Sequence, residues 1–168
     1  MLDLKTHVVD IPDFPKPGIL FRDINPLLRR HFSATIAAID ALFTEREWSE
    51  IDAVAGVESR GFILASALAD RRGKGFVPIR KQGKLPPPVV DIAYDLEYGT
   101  GVLEMQQGSG QLLLVDDVLA TGGTLAASAA LSIQAGFSLQ AIAVLIDIGI
   151  APAFRCGGHV PRIVIQYG

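Results

Sequence analysis

The segment from Leu112 to Thr124 constrains the fold of this chain more strongly than any other. Four apolar residues are followed by two adjacent acids, and the segment ends in the small-residue loop Ala-Thr-Gly-Gly-Thr. A short apolar run, here Leu112–Val115, is typical of a strand buried on both faces. A helix is predicted over Gly123–Ala135, where Gly136 closes it. The segment therefore predicts a strand, a loop and a helix of an α/β protein.

The rest of the chain repeats this alternation. Ser33–Trp48 and Gly61–Arg71 have the apolar spacing of helices, and the turn-forming residues of Asp10–Pro26 predict an ordered loop. The other predicted extended segments are Ile51–Val57, Gly75–Ile79, Val89–Tyr94, Gly101–Met105, Leu139–Ile148 and Arg162–Tyr167. Strands alternating with helices indicate a mostly parallel sheet covered on both faces. Ligands bind at the carboxyl ends of the strands in such sheets.

Length and composition limit the class of protein. A chain of 168 residues predicts a single domain over 1–168, and the net charge of −3 argues against binding to nucleic acid. The single cysteine, Cys156, suits a reducing compartment. The N-terminus has no apolar core of signal-peptide length, and the longest apolar stretch, Leu139–Phe154, falls short of the roughly 20 residues that span a bilayer. We expect a cytoplasmic protein without membrane contact.

The loop Ala120–Thr124 has the features of a phosphate site. Backbone N–H groups of a small-residue loop can point into one concavity, and the helix that follows adds partial positive charge. Thr121 and Thr124 add hydroxyl donors, while Gly122 and Gly123 let the backbone approach an anion closely. The preceding acids would repel a bare phosphate. They suit a phosphate that is attached to a sugar, because each carboxylate can accept from one hydroxyl.

This segment resembles the signature of the type I phosphoribosyltransferases, whose Rossmann-like fold has a mostly parallel sheet flanked by helices. The resemblance implies that Asp116 and Asp117 hold the ribose hydroxyls, and that the loop residues hold the 5′-phosphate. Those loop residues are Ala120, Thr121, Gly122, Gly123 and Thr124. The motif does not specify which base the enzyme uses.

An N-terminal segment narrows the choice of base. Phe14–Pro26 is similar to the hood of adenine phosphoribosyltransferases, which the resemblance places within residues 1–32. An aromatic ring offers a purine a stacking face. The resemblance implies that Phe21 lies over the base and that Leu20 and Arg22 lie at its edge, where main-chain groups of Leu20 distinguish an amine from a carbonyl.

Two further blocks are implied to meet the pyrophosphate. Gly56–Phe62 carries Glu58, Ser59 and Arg60 before a helix, and the resemblance implies a cis non-proline peptide in this loop. Many relatives have Asp where this chain has Glu58. In the block Ile79–Pro86 the cationic residues can neutralise several negative charges. Those residues are Arg80, Lys81 and Lys84, and whether they serve their own or a neighbouring subunit's site stays open.

The last block, Tyr94–Gly99, matches the adenine enzymes closely. Residues 85–100 are implied to form a flexible flap that closes over the substrate and excludes water. Glu97 is implied to lie near the purine and to manage its proton. Without the resemblance, a surface glutamate would be the simpler interpretation.

Together these blocks imply a purine salvage transferase that makes AMP and pyrophosphate from adenine and 5-phosphoribosyl-1-pyrophosphate (PRPP). We expect Mg²⁺ to bind mainly through PRPP, pyrophosphate and water, with no direct protein ligand. A homodimer is expected from the resemblance. Two alternatives stay open: a phosphoribosyltransferase for another purine base, and a catalytically silent PRPP-binding regulator.

Overall fold

The computed structural model describes residues 2–96 and 99–168, with Leu96 described by its backbone alone. The described helices are α1 Asn25–Asp40, α2 Glu45–Glu50, α3 Arg60–Arg72 and α4 Gly123–Gln134. The described strands are β1 Val9–Pro12, β2 Leu20–Asp23, β3 Ala53–Val57, β4 Gly75–Lys81, β5 Val89–Leu96, β6 Gly99–Gln106, β7 Gln111–Leu119, β8 Ser138–Asp147 and β9 Arg162–Gln166.

Seven of these strands form the main sheet, in the order β5-β6-β4-β3-β7-β8-β9. The five strands from β4 to β9 in that order run parallel, and β6 and β5 add an antiparallel edge. The predicted α/β fold is therefore confirmed. From β3 the chain reaches β4 on one side and, after the edge hairpin, β7 on the other. The switch point that favours ligand binding thus lies between β3 and β7.

Strand β7 is held from both faces of the sheet. Leu113 and Val115 are fully buried in the core that includes α1 and α3, whereas Leu112 and Leu114 are fully buried in the core that includes α4. Each such side chain contributes roughly 1.5–3 kcal/mol through burial. The acids that follow Val115 are therefore attached to one of the best-anchored strands in the sheet.

The predicted helix Ser33–Trp48 is wrong at both ends. Helix α1 begins at Asn25, with proline in its first turn, and His31 has non-helical angles (φ −135°, ψ 31°), so the prediction located only the part after this kink. Helix α1 ends at Asp40, and a second helix, α2, begins after Thr44. The side chain of Thr44 forms a capping box with Glu47 at the start of α2. The predicted ordered loop Asp10–Pro26 is a two-stranded hairpin of β1 and β2 that leads into α1.

The remaining predicted elements are confirmed with small changes at their ends. The two extended segments after Val89 form an antiparallel hairpin, with Val90 opposite Met105. Strand β7 is longer than predicted, because Asp116 and Asp117 continue it to Leu119. None of the described helices is long and apolar enough to span a membrane.

Candidate active site

The loop after β3 begins beside the acid pair of β7, because Gly56 is the register partner of Val115. The close contact between them depends on Gly61 in the first turn of α3. A methyl group there would lie 3.0 Å from Asp116 Oδ1 and 3.2 Å from the carbonyl oxygen of Val115. The fold therefore places the first turn of α3 directly against the acid pair.

The two acids are buried, each with 8% of its surface exposed. Oδ1 of Asp116 accepts the backbone N–H of Asp117 at 2.9 Å. Burial, and secondly the charge of Asp117, raise the pKa of the Asp116 carboxyl well above its ordinary value. The free protein therefore disfavours two full negative charges at this point, and a cationic or hydroxyl-bearing ligand would relieve the cost.

Arg60 already supplies part of that compensation. Its Nε lies 2.7 Å from Oδ2 of Asp117, although the contact lacks the alignment of a hydrogen bond. Oδ2 is a buried atom for which no described residue provides a hydrogen bond. A buried acceptor without a hydrogen bond raises the free energy of the folded protein until a ligand donates to it. The site thus has a preformed place for a donor such as a hydroxyl group.

Two helices begin at this edge without a side-chain cap. Among the described side chains, none caps α3 at Ser59 or α4 at Gly122, and neither helix has an acid in its first turn. Helix α2, away from this edge, has a complete capping box. The N–H groups at the start of α3 and α4 are therefore available to an external anion.

Gly122 has a left-handed conformation (φ +89°), which favours glycine. A methyl group here would lie 2.1 Å from the Phe154 ring. The ring therefore packs directly against the backbone of the loop that precedes α4. In this loop Thr121 is exposed, whereas Ala120 and Thr124 are partly exposed, so the hydroxyl of Thr121 is accessible.

The basic block after β4 is joined to the loop after β3. Oε2 of Glu58 accepts from Arg80 Nε at 3.3 Å and from the backbone N–H of Lys81 at 3.0 Å. The Lys81 hydrogen bond is the largest factor that holds the pKa of Glu58 below its ordinary value. Glu58 therefore connects the two loops as an ionised group. The peptide between Glu58 and Ser59 is cis, as the resemblance implied.

The N-terminal hairpin contributes an aromatic ring beside Arg60. The Arg60 guanidinium lies 5.1 Å from the centre of the Phe21 ring, and the edge of Phe14 packs on that ring. Leu20 is 48% exposed. Arg22 is occupied elsewhere, because it pairs with Asp10 and lies 4.0 Å from the centre of the Tyr167 ring. The structure thus brings Phe21 to Arg60, and it joins Arg22 to Asp10 of the hood and to Tyr167 beyond it.

The sequence analysis did not identify two residues at this edge, Glu104 and Phe154. Glu104 is 3% exposed and contacts the basic block, and Phe154 covers Gly122. A charged residue between Leu103 and Met105 in an apolar run was the available signal for Glu104. Phe154 gave no local signal, since it reaches Gly122 only through the fold. Glu97 lies outside the described residues.

A switch-point site with a buried acid pair and two uncapped helix N-termini is what a sugar phosphate requires. A family model described as the phosphoribosyl transferase domain matches residues 32–151, which defines the chain as a member of that class. The adenine phosphoribosyltransferase of Hydrogenovibrio crunogenus is 50% identical over 165 residues, covering 98% of this chain and 96% of the relative. The chain belongs to the adenine phosphoribosyltransferase family.

Solved structures agree with this assignment. The adenine phosphoribosyltransferase of Rhodothermus marinus has a TM-score of 0.83 at 40% identity, covering 97% of this chain and 96% of that one. The enzyme of Giardia lamblia, complexed with 9-deazaadenine, has a TM-score of 0.85 at 35% identity, covering 99% and 97%.

Proposed function

We propose that the protein transfers the phosphoribosyl group of PRPP to N9 of adenine, which gives AMP and pyrophosphate. The observation that carries this function is the buried pair Asp116–Asp117, placed immediately before the uncapped start of α4. The family assignment supports the choice of reaction.

The sugar phosphate occupies β7 and its loop. Asp116 and Asp117 accept from the two ribose hydroxyls, and Oδ2 of Asp117 obtains the donor that it lacks in the free protein. The amides of Thr121, Gly122, Gly123 and Thr124 hold the 5′-phosphate, with Ala120 at the base of the loop. The N-terminus of α4 adds favourable charge to the phosphate.

The pyrophosphate lies toward the loop after β3 and the basic block. Arg60 stands beside the acid pair and can reach both groups, and the amide of Ser59 opens an uncapped helix. Arg80, Lys81 and Lys84 supply the other positive charges, and Glu58 fixes the start of their segment. The site thus separates the sugar from the leaving group along the edge of the sheet.

The base lies under the hood, residues 1–32. Phe21 provides a ring for stacking, main-chain groups of Leu20 meet the purine edge, and Arg22 stiffens the hood through Asp10 and Tyr167. Residues 85–100 act as the flap, and Glu97 holds the proton that N9 must lose. An E97A variant should lower kcat more than it weakens AMP binding, and an unchanged kcat would remove Glu97 from this role.

We propose that Mg²⁺ binds at this site mainly through PRPP, pyrophosphate and water. Among residues 2–96 and 99–168 no group of three or more acidic, histidine or cysteine side chains is placed to hold a metal ion. The acid pair and the oxygens of PRPP suit a hydrated cation, which usually keeps several waters. When bound, it would neutralise charge that develops on the departing pyrophosphate.

The protein's part in the reaction is to position the substrates and to stabilise charge, without a covalent bond between protein and substrate. The bond between the anomeric carbon and the pyrophosphate oxygen breaks as positive charge develops on the ribose ring. N9 of adenine forms the new bond from the opposite face and gives up its proton. Asp116 and Asp117 stabilise the positive ring, and the cationic side chains stabilise the leaving group. Closure of the flap would exclude water from the activated ribose.

We further propose that the protein forms a homodimer. Phe32 and Ile63, exposed at 37% and 43%, line one groove. Grouped apolar exposure of this kind marks an interaction surface. Light scattering should give the dimer mass for the wild type and a lower mass for I63D. A monomeric wild type would contradict this part of the proposal.

The function is tested by a panel of bases. The purified protein, PRPP and Mg²⁺ are incubated with adenine, hypoxanthine, guanine or xanthine, and nucleotides are separated by chromatography. We expect AMP from adenine and little product from the three oxopurines. Preferred use of an oxopurine would make the protein a phosphoribosyltransferase for another base. Tight PRPP binding without any nucleotide product would make it a silent regulator.

A further inference from the structure

The segment that follows β4 is organised by a carboxylate from another strand. Glu104 lies on β6, opposite Arg80 of β4 in the antiparallel register. Its Oε1 accepts the backbone N–H groups of Lys84 and Leu85, each at 2.6 Å, and its Oε2 accepts that of Gly83 at 2.9 Å. Three consecutive amides of the basic block therefore converge on one buried side chain.

The same segment is held from its other side. Nη1 of Arg80 donates to the carbonyl oxygen of Lys84 at 3.3 Å. The backbone of Lys84 is thus fixed at its N–H by Glu104 and at its carbonyl by Arg80. The Lys84 side chain remains exposed. The fold restrains the peptide group and leaves the ammonium free to meet a ligand.

Three successive amides that converge on one point form an anion-binding concavity. Here a carboxylate of the chain itself fills it. The Gly83 amide is the largest factor that keeps the pKa of Glu104 below its ordinary value, so this group is ionised at neutral pH. The amides of residues 83–85 are consequently used internally, and an external anion must be bound by side chains of the block.

We propose that Glu104 is a positioning residue for the leaving group: it organises residues 83–85 so that Lys84 and its neighbours meet pyrophosphate through their side chains. This inference rests on the proposed function, in which that block binds pyrophosphate. Glu104 itself touches no substrate. Its negative charge alone would repel pyrophosphate, so positioning and simple electrostatics predict opposite effects when the charge is removed.

The first test compares E104Q with D70N. In E104Q the amide group keeps at most two of the three acceptor contacts and presents a donor to the third N–H. Asp70 is exposed near the end of α3 and lies outside the flap and the proposed binding blocks, so D70N removes one negative charge without affecting the three amides. Binding of Mg²⁺-pyrophosphate is measured by calorimetry, and KM is measured for PRPP and for adenine.

We expect E104Q to weaken pyrophosphate binding and to raise KM for PRPP by about 10-fold or more, with KM for adenine unchanged. D70N should bind pyrophosphate as the wild type does. Equal or tighter binding by E104Q would overturn the positioning role. If the wild type makes no AMP, the proposed function fails whatever E104Q does, so the two failures are distinguishable.

A second measurement needs no variant and stands if E104Q does not fold. Hydrogen exchange is followed at the amides of residues 83–85 in the wild type. The inference predicts slow exchange in the free protein and no further protection when Mg²⁺-pyrophosphate is added. Exchange at the rate of an open loop, or protection that arises only with pyrophosphate, would overturn it.

Discussion

Replacement of Asp117 by Asn tests the proposed role of the acid pair in binding the ribose. The side chain keeps its shape but loses its charge, and its carboxylate is 11% exposed in the free protein. A hydrogen bond to a charged group contributes about 1.5–3 kcal/mol and a neutral one about 0.5–1.5 kcal/mol. The difference of about 1–1.5 kcal/mol alone corresponds to a loss of roughly 5- to 10-fold in kcat/KM for PRPP.

The lost charge adds to this effect, because a carboxylate near the positive ribose ring is worth up to about 4 kcal/mol at 4 Å and an effective dielectric constant of 20. The two effects together amount to at most about 5.5 kcal/mol, so we expect kcat/KM to fall by between ~5-fold and ~10,000-fold. Stability should change little, because the ion pair of Asp117 with Arg60 is lost while repulsion of Asp116 is relieved. The charge of Asp117 is one cause of the raised pKa of Asp116, so its removal relieves repulsion inside a buried pair.

The assay measures AMP formation at varied PRPP, together with thermal unfolding. D70N, an exposed acid on α3, is the control and should match the wild type in both measurements. The reasoning is refuted if D117N retains wild-type kcat/KM. It is also refuted if activity falls only because the folded structure is lost.

Three further predictions concern other contacts. G61A should lower the melting temperature, because the methyl group would lie 3.2 Å from the carbonyl oxygen of the buried Val115, and it should lower kcat/KM for PRPP ~10-fold or more as Asp116 is displaced; full stability and activity would show that the two segments do not need glycine here. F154A should weaken AMP binding by roughly 10-fold in calorimetry, because Gly122 loses the ring that covers it; unchanged affinity would make Phe154 irrelevant to the loop. Glu47 pairs with Arg162 and accepts from Thr44, and the Arg162 hydrogen bond is the largest factor that lowers its pKa to about 2. This stabilisation is present above the ordinary pKa of 4.5 and is lost as pH falls toward 2. The melting temperature of E47Q should therefore lie below that of the wild type at pH 7, and the difference should narrow toward pH 3. Activity at neutral pH should be unchanged. A difference that is constant with pH would contradict this assignment.

The strand, loop and helix at residues 112–124 could be predicted from the sequence, because every feature involved is local. The apolar run, the adjacent acids and the glycines lie next to one another, and the structure differs only in extending β7 through the acids. The boundaries of α1 were harder to predict. Ser33 resembles a cap, but it lies just after the kink at His31, and the helix starts earlier at Asn25.

Contacts between distant segments could not be read from the sequence. Phe154 covers Gly122 only because the segment after β8 folds back over β7, and Glu104 reaches residues 83–85 only because β6 pairs with β4. The contacts of Arg22 with Asp10 and Tyr167 are of the same kind, and its predicted place at the base edge stays a prediction.

The central claim is that the edge between β3 and β7 binds the sugar and its phosphate. A crystal structure with AMP tests it most directly. The account predicts the 5′-phosphate on the amides of residues 121–124 and the ribose hydroxyls on Asp116 and Asp117. A nucleotide bound at another surface, with this loop and both carboxylates free of it, would contradict the account.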